Sequence, residues 1–150
     1  MPLIVDATFS TPILCKPFDH GVDVVVHSVT KWMGGHGVAV GGVIVDGGAF
    51  DWGSSKKHPV LTTPYEPFHG INFWEEFGPS ALSMKIRAES MRDFGPAMSP
   101  HSAFLLLQGI ETLSLRMNQH VKNALKLAKW LLEQSAVMWV NHPDLPENPT

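Results

Sequence analysis

Cysteine is almost absent from this chain: Cys15 stands alone. It cannot form an internal disulfide, which favours a reducing compartment, and a small buried apolar side chain is a better reading of it than a reactive thiol. Long apolar runs are also missing. None approaches the roughly 20 residues that span a bilayer, and Met1 is not followed by the basic and apolar segments of a secretory signal, so a cytoplasmic protein is expected. Basic charge is scarce. Lys and Arg number 11 against 14 Asp and Glu, and Lys56-Lys57-His58 is the one local basic cluster, which argues against nucleic acid and anionic membrane as partners. The 8 histidines form neither a His-Glu-x-x-His pattern nor a paired Cys/His spacing, so no metal site is expected. No internal repeat is visible. With 44% hydrophobic and 17% charged residues, the 150 residues suffice for one sizeable core.

The most informative stretch runs from Val22 to Gly37, VDVVVHSVTKWMGGHG. Val22 to Val26 is short and β-branched, reads as a buried strand, and stops at small polar residues. Ser28 and Thr30 then offer two hydroxyls and Lys31 an amine, while Gly34, Gly35 and Gly37 let the backbone turn closely around a ligand. Upstream, Leu3-Ile4-Val5 is a second such run with Asp6 at its end. Ligands of open α/β sheets collect outside the carboxyl ends of strands, so Asp6 and Lys31 would face one crevice. A carboxylate, two hydroxyls and a lysine match pyridoxal phosphate. The lysine forms a Schiff base with its aldehyde, the hydroxyls bind its phosphate, and the carboxylate keeps its ring nitrogen protonated. The blander readings are a solvated lysine, turn-capping hydroxyls and a turn-forming aspartate.

The segment VDATFSTPILCKPFDHGVDVVVHSVTKWMGGHG, with SPHSAFLLLQGIETLSLRMNQHVKNALKLAKWL downstream, resembles the Cys/Met-metabolism pyridoxal-phosphate-dependent enzymes. The GGVIVDGGAFDW run and the segment from Gly53 to Phe77 bring the likeness nearest the sulfhydrylase branch, which puts sulfide in place of the acetyl group of O-acetyl-homoserine to give homocysteine. The resemblance implies an α/β fold of the fold type I, aspartate-aminotransferase-like kind. It implies Lys31 as the Schiff-base lysine and proton shuttle, Asp6 as the ring-nitrogen partner, Ser28 and Thr30 as phosphate ligands, an amino-acid substrate and a homo-oligomer, dimer or tetramer. It places the C-terminal part of the large domain at 1–112, and a connecting helix with the start of the small domain at 113–150. A cystathionine γ-synthase or γ-lyase stays open as an alternative. Relatives are much longer, so an internal fragment without independent activity is the other alternative. Where the family usually has Asp-Asn-Thr this chain has Asp6-Ala7-Thr8, and the polar contact of that amide is lost.

Along the rest of the chain, Phe18 to His20 suggests a helical turn closed by Gly21, and Val38 to Val45 a strand interrupted by Gly41-Gly42 and ending at Asp46-Gly47-Gly48. From Gly53 to Phe77 prolines prevent long elements. The aromatic residues Tyr65, Phe68, Phe73, Trp74 and Phe77 nevertheless predict an ordered insertion, near the active-site entrance, against a second subunit, or as a surface excursion without function. A helix follows from Ser80 with Ala81, Met84, Ala88 and Met91 inward and Lys85, Arg87, Glu89 and Arg92 on other faces. Ser99-Pro100 starts a second helix, and Leu113 to Gln134 forms a third with Leu113, Met117, Val121, Ala124, Ala128 and Leu131 as its core stripe. Val137 to Val140 reads as a strand, with Pro143, Pro146 and Pro149 ending regular structure. His27 and His36 flank the glycine turn at one remove, and Arg87, Arg92 and Arg116 read as helix-surface salt-bridge residues.

Overall fold

A computed structural model of the chain describes residues 1–54 and 56–146. Three strands form one sheet in the order β1 (Ile4–Asp6), β2 (Val24–Ser28), β3 (Gly42–Asp46). β1 runs parallel to β2 with Asp6 opposite Val26, and β3 returns antiparallel with Gly42 opposite Ser28. The uninterrupted Val24-Val25-Val26 run suits the central position, where both faces of a strand are covered. Val24 and Val25 are each 2% exposed, and Val25 packs with Ala7 and Val22. The short polar contact expected of an asparagine at position 7 is replaced by apolar packing: Ala7 is buried in that cluster.

The third strand starts later than predicted. Thr30 Oγ1 accepts from Gly41 N–H at 2.9 Å and donates to Gly41 O at 3.2 Å, which Thr30 N–H also reaches at 3.4 Å, so Gly41 is engaged by Thr30 and the ladder begins at Gly42. Val38 and Val40 stay outside it, exposed. The segment after Asp6 holds an additional short helix, α1 (Thr11–Leu14), with Pro12 in its first turn, where the missing N–H costs nothing. The turn at Pro17–His20 is a 3-10 helix closed by Gly21 at φ 79°.

The described residues of the aromatic insertion are ordered, and they build a second core. It contains α2 (Pro59–Thr62) and α3 (Phe73–Phe77), two 3-10 turns at Trp52–Ser54 and Glu66–Phe68, and a bridge between Tyr65 and Ile71. Asn72 caps α3 by accepting from the N–H groups of Trp74 and Glu75. Trp52, Leu61, Phe73 and Ala81 are its buried centre, with Tyr65, Phe68, Trp74 and Phe77 around them.

The next helix is not uniform. α4 (Ala81–Ile86) passes into a π-helical turn, Arg87–Met91, and ends as α5 (Arg92–Phe94), closed by Gly95 at φ 70°. The wider turn rotates its later residues relative to a 3.6-residue repeat, so Met91, expected inside, is 39% exposed. Lys85, expected outside, is 7% exposed. Its ammonium sits 3.1 Å from the centroid of the Tyr65 ring and 3.2 Å from Glu89 Oε2, and Tyr65 donates to Glu89 Oε1 at 2.7 Å. An aromatic face and a carboxylate together replace the water that a buried lysine loses.

Ser99 caps α6 (Pro100–Glu111) by accepting from Ser102 N–H at 3.1 Å, and α7 (Leu113–Leu132) comes directly after it. The predicted stripe on α7 is buried at Leu113, Met117 and Ala128, whereas Val121 and Ala124 are exposed. Twenty residues of helix extend about 30 Å, beyond the reach of the shorter α6. Val137 to Val140 is not a strand: no ladder partner adjoins it among the described residues, and Trp139 is 75% exposed. Pro149 lies outside the described residues.

Candidate active site

Asp6 and Lys31 come to the same edge of the sheet because β1 and β2 are parallel neighbours and both residues lie at or just past the carboxyl ends. That edge is stitched together by backbone and by two side chains. Ala7 N–H donates to Val26 O at 2.9 Å, Ser28 N–H donates to Thr8 Oγ1 at 2.8 Å, and the buried His27 ring sets Nδ1 3.0 Å from Ala7 O. Thr8, which sequence patterning does not single out, is thus the pivot between the two halves.

Thr8 also sets the charge of Asp6. The exposed carboxylate is held below its ordinary range by hydrogen bonding from the Thr8 side chain, then from Thr8 N–H at 2.9 Å, with His27 adding a smaller lowering. The carboxylate accepting from the N–H two residues on is a common aspartate turn, so the spacing Asp6-x-Thr8 was the available local signal.

Lys31 lies within a tight turn at residues 29–34. Lys31 N–H donates to Ser28 O at 3.2 Å, Gly34 N–H to Val29 O at 2.8 Å, and Gly35 N–H to Lys31 O at 2.8 Å. The Lys31 side chain is exposed, and among the described residues no hydrogen bond or ion pair engages its amine. Ser28 is half-buried beside it. The Thr30 hydroxyl faces Gly41, donating to its carbonyl at 3.2 Å and accepting from its N–H at 2.9 Å. His36 Nδ1 lies 2.8 Å from Gly34 O.

The turn is packed against the start of the C-terminal helices. Gly109 of α6 lies against the Gly34 carbonyl so closely that a Cβ there would collide with it. Arg116, expected to pair on the helix surface, instead reaches back to backbone: Nη1 donates to Trp32 O at 2.7 Å, and Nη2 to Gly109 O at 2.6 Å and Met33 O at 3.3 Å. No local sequence signal announces a contact across more than 80 residues. Arg92, by contrast, does pair on the surface, with Asp93 at 2.8 Å. A groove of about 670 Å³ lies elsewhere, between β3 and the 81–98 segment, lined by Val43, Ile44, Arg87, Met91 and Met98 and by neither Asp6 nor Lys31.

The fold, with Asp6 and the Lys31 turn at the carboxyl ends of adjacent parallel strands, is of the fold type I pyridoxal-phosphate-dependent α/β class. The family model for Cys/Met metabolism PLP-dependent enzymes matches residues 1–150, and the chain belongs to that family. It is 46% identical to O-acetyl-L-homoserine sulfhydrylase of Leptospira meyeri, over 97% of this chain and 34% of that protein. It is 49% identical to homocysteine/cysteine synthase of Kluyveromyces lactis, over 99% of this chain and 34% of that one. A Campylobacter jejuni structure assigned as O-acetylhomoserine (thiol)-lyase, which carries N'-pyridoxyl-lysine-5'-monophosphate, superposes with a TM-score of 0.93 at 35% identity over 99% of this chain and 37% of its own. O-Acetylhomoserine sulfhydrylase of Wolinella succinogenes superposes at 0.80 with 41% identity, over 99% of this chain and 39% of its own. The chain spans about a third of the length of the curated relatives it matches.

The residues present fit the family's cofactor. Asp6 is an exposed carboxylate whose hydrogen bonds from Thr8 favour its anionic form, suited to a protonated ring nitrogen, and the Lys31 amine is exposed in the turn that follows the neighbouring strand.

Proposed function

We propose that these 150 residues supply the cofactor-binding core of an O-acetyl-homoserine sulfhydrylase, which replaces acetate by sulfide to give homocysteine. Pyridoxal phosphate, when bound, supplies an aldehyde for a lysine amine and a ring that accepts electrons from the substrate's α-carbon. Lys31 Nζ would hold the aldehyde end and, once free, would take the proton from the substrate's α-carbon, hand it on to the cofactor and, neutral again, take one from the β-carbon as a positioned base. Asp6 would hold the protonated ring nitrogen, and Ser28 and Thr30 would hold the phosphate through their hydroxyls. The observation that carries the reading is the parallel pairing of β1 and β2, which brings Asp6 and the Lys31 turn to one edge. The sulfhydrylase and synthase relatives support the choice of substrate.

Residues 1–112 belong, in this reading, to the large domain and 113–150 to the connecting helix and the start of the small one. Residues 147–150 lie outside the described part. No helix among the described residues is long and apolar enough to cross a membrane, and we place the protein in the cytoplasm as a homo-oligomer.

Reductive trapping tests the assignment. Pyridoxal phosphate and cyanoborohydride should label one peptide of the intact protein, the one containing Lys31, and Lys31→Ala should abolish that label and the turnover. Labelling spread over several lysines would refute the site. O-Acetyl-homoserine offered with sulfide should yield homocysteine; cystathionine formed from cysteine at a higher rate would favour a γ-synthase.

A further inference from the structure

We propose that Arg116 is a positioning residue for Lys31: its guanidinium caps the carbonyl end of the lysine-bearing turn and fixes the Lys31 backbone while leaving the side chain free to move protons. The inference rests on Lys31 being the reactive lysine of the proposed sulfhydrylase.

The backbone accounting of the turn carries it. A tight turn leaves some of its carbonyls without partners inside it, and each needs one elsewhere. Of the four that come after Thr30, Lys31 O accepts from Gly35 N–H at 2.8 Å and Gly34 O faces His36 Nδ1 at 2.8 Å. The two between them, Trp32 O and Met33 O, are the ones Arg116 reaches, at 2.7 and 3.3 Å. A cation at the carbonyl end of a turn also complements the backbone dipoles. The same guanidinium is itself fixed: Nε donates to Thr112 Oγ1 at 3.1 Å and Nη2 to Gly109 O at 2.6 Å.

Two further contacts tie the turn to the same corner. Gly34 is buried against Gly109, and the Trp32 ring lies on His120, one helical turn beyond Arg116, with centroids 4.7 Å apart. Gly35 takes φ 73°, and a Cβ there would come within 2.7 Å of Arg116 Cζ, so the turn is shaped to admit the guanidinium. Lys31 therefore sits on a segment held from α7, while its own amine has no partner among the described residues. A base that must serve two carbon atoms needs this division between a fixed Cα and a mobile amine.

The discriminating variant is Arg116→Lys, which keeps the charge but cannot span two carbonyls with a planar fork. In the intact protein we expect kcat to fall about a hundredfold with KM changed by less than about threefold, as for a misplaced catalytic group. In the cofactor-free protein, amide exchange at Gly34 and Gly35 should accelerate at least about tenfold while α7 stays protected. Reductive labelling of Lys31 should slow. Unchanged kcat and exchange in Arg116→Lys would overturn the inference, as would a loss of kcat that merely tracks the folded fraction measured by circular dichroism. If Arg116→Lys fails to fold, His120→Ala, which loosens Trp32 alone, should show a smaller shift of the same kind, and no shift would count against the proposal. Wild-type labelling away from Lys31 would instead refute the assignment of Lys31 as the reactive lysine, and with it the proposed function.

Discussion

Replacing Phe73 with alanine tests whether the 53–77 insertion is a folded unit with its own core. Phe73 is 0% exposed, with the rings of Tyr65, Phe68 and Phe77 at centroid distances of 6.1, 6.2 and 6.0 Å and the Lys85 ammonium 5.2 Å from its centroid. Truncating a fully buried phenylalanine removes its transfer free energy and leaves a cavity, together about 3–5 kcal/mol. Because α3 begins at this residue and Asn72 fixes its entry, the neighbours have little freedom to collapse into the space. With a urea slope near ~2 kcal/mol per molar, the unfolding midpoint should drop by about 1.5–2.5 M. Trp52 and Trp74 belong to the same cluster, so tryptophan fluorescence reports on it locally once Trp32, Trp130 and Trp139 are replaced by phenylalanine in both the reference and the variant. Val60→Ala, at a position 64% exposed on α2, should stay within about 0.5 kcal/mol of wild type. A loss below about 1 kcal/mol for Phe73→Ala would show that the cluster does not contribute as a packed core, and aromatic packing would no longer account for the order of the insertion.

Tyr65 is the chain's single tyrosine, and its hydrogen bond to Glu89 raises its pKa above 10.0, so the tyrosinate absorbance should appear at higher pH than in a free peptide and move down in Glu89→Gln. Because the folded value is raised, the stability linked to this group is complete below pH ~10 and is lost as pH rises through the folded value. Thr8→Val should raise the Asp6 pKa, read by carboxyl carbon NMR, and leave Ser28 N–H without its partner at a cost of about 1–3 kcal/mol. For Asp6 the sign is opposite: its folded value is depressed, so the linked stability is present above pH ~3.9 and lost as pH falls through the folded value. Gly109→Ala places a methyl group on the Gly34 carbonyl and should cost about 1–3 kcal/mol or more in thermal unfolding; a neutral result would mean that the α6 contact is loose.

What the sequence determined is local. Two β-branched runs with Asp6 and Lys31 at their ends, the glycines after Lys31, the Ser99 cap and the helical spacing after Ser80 can each be read from neighbours a few residues apart, because backbone propensity and strand or helix period act at that range. The family resemblance adds the roles of those residues, which spacing cannot supply. Tertiary structure decided whatever depends on partners far along the chain. Lys85 goes inside because Tyr65 and Glu89 receive it, Met91 goes outside because a π turn shifts the helix face, and the strand expected at Val38 starts at Gly42 because Thr30 occupies the Gly41 backbone. Arg116 is the clearest case: on its helix it is one more exposed cation, and only the packing of Gly109 on Gly34 brings it to the carbonyls beside Lys31. A hydrogen bond across 84 residues depends on how the layers stack, which no window of the sequence encodes.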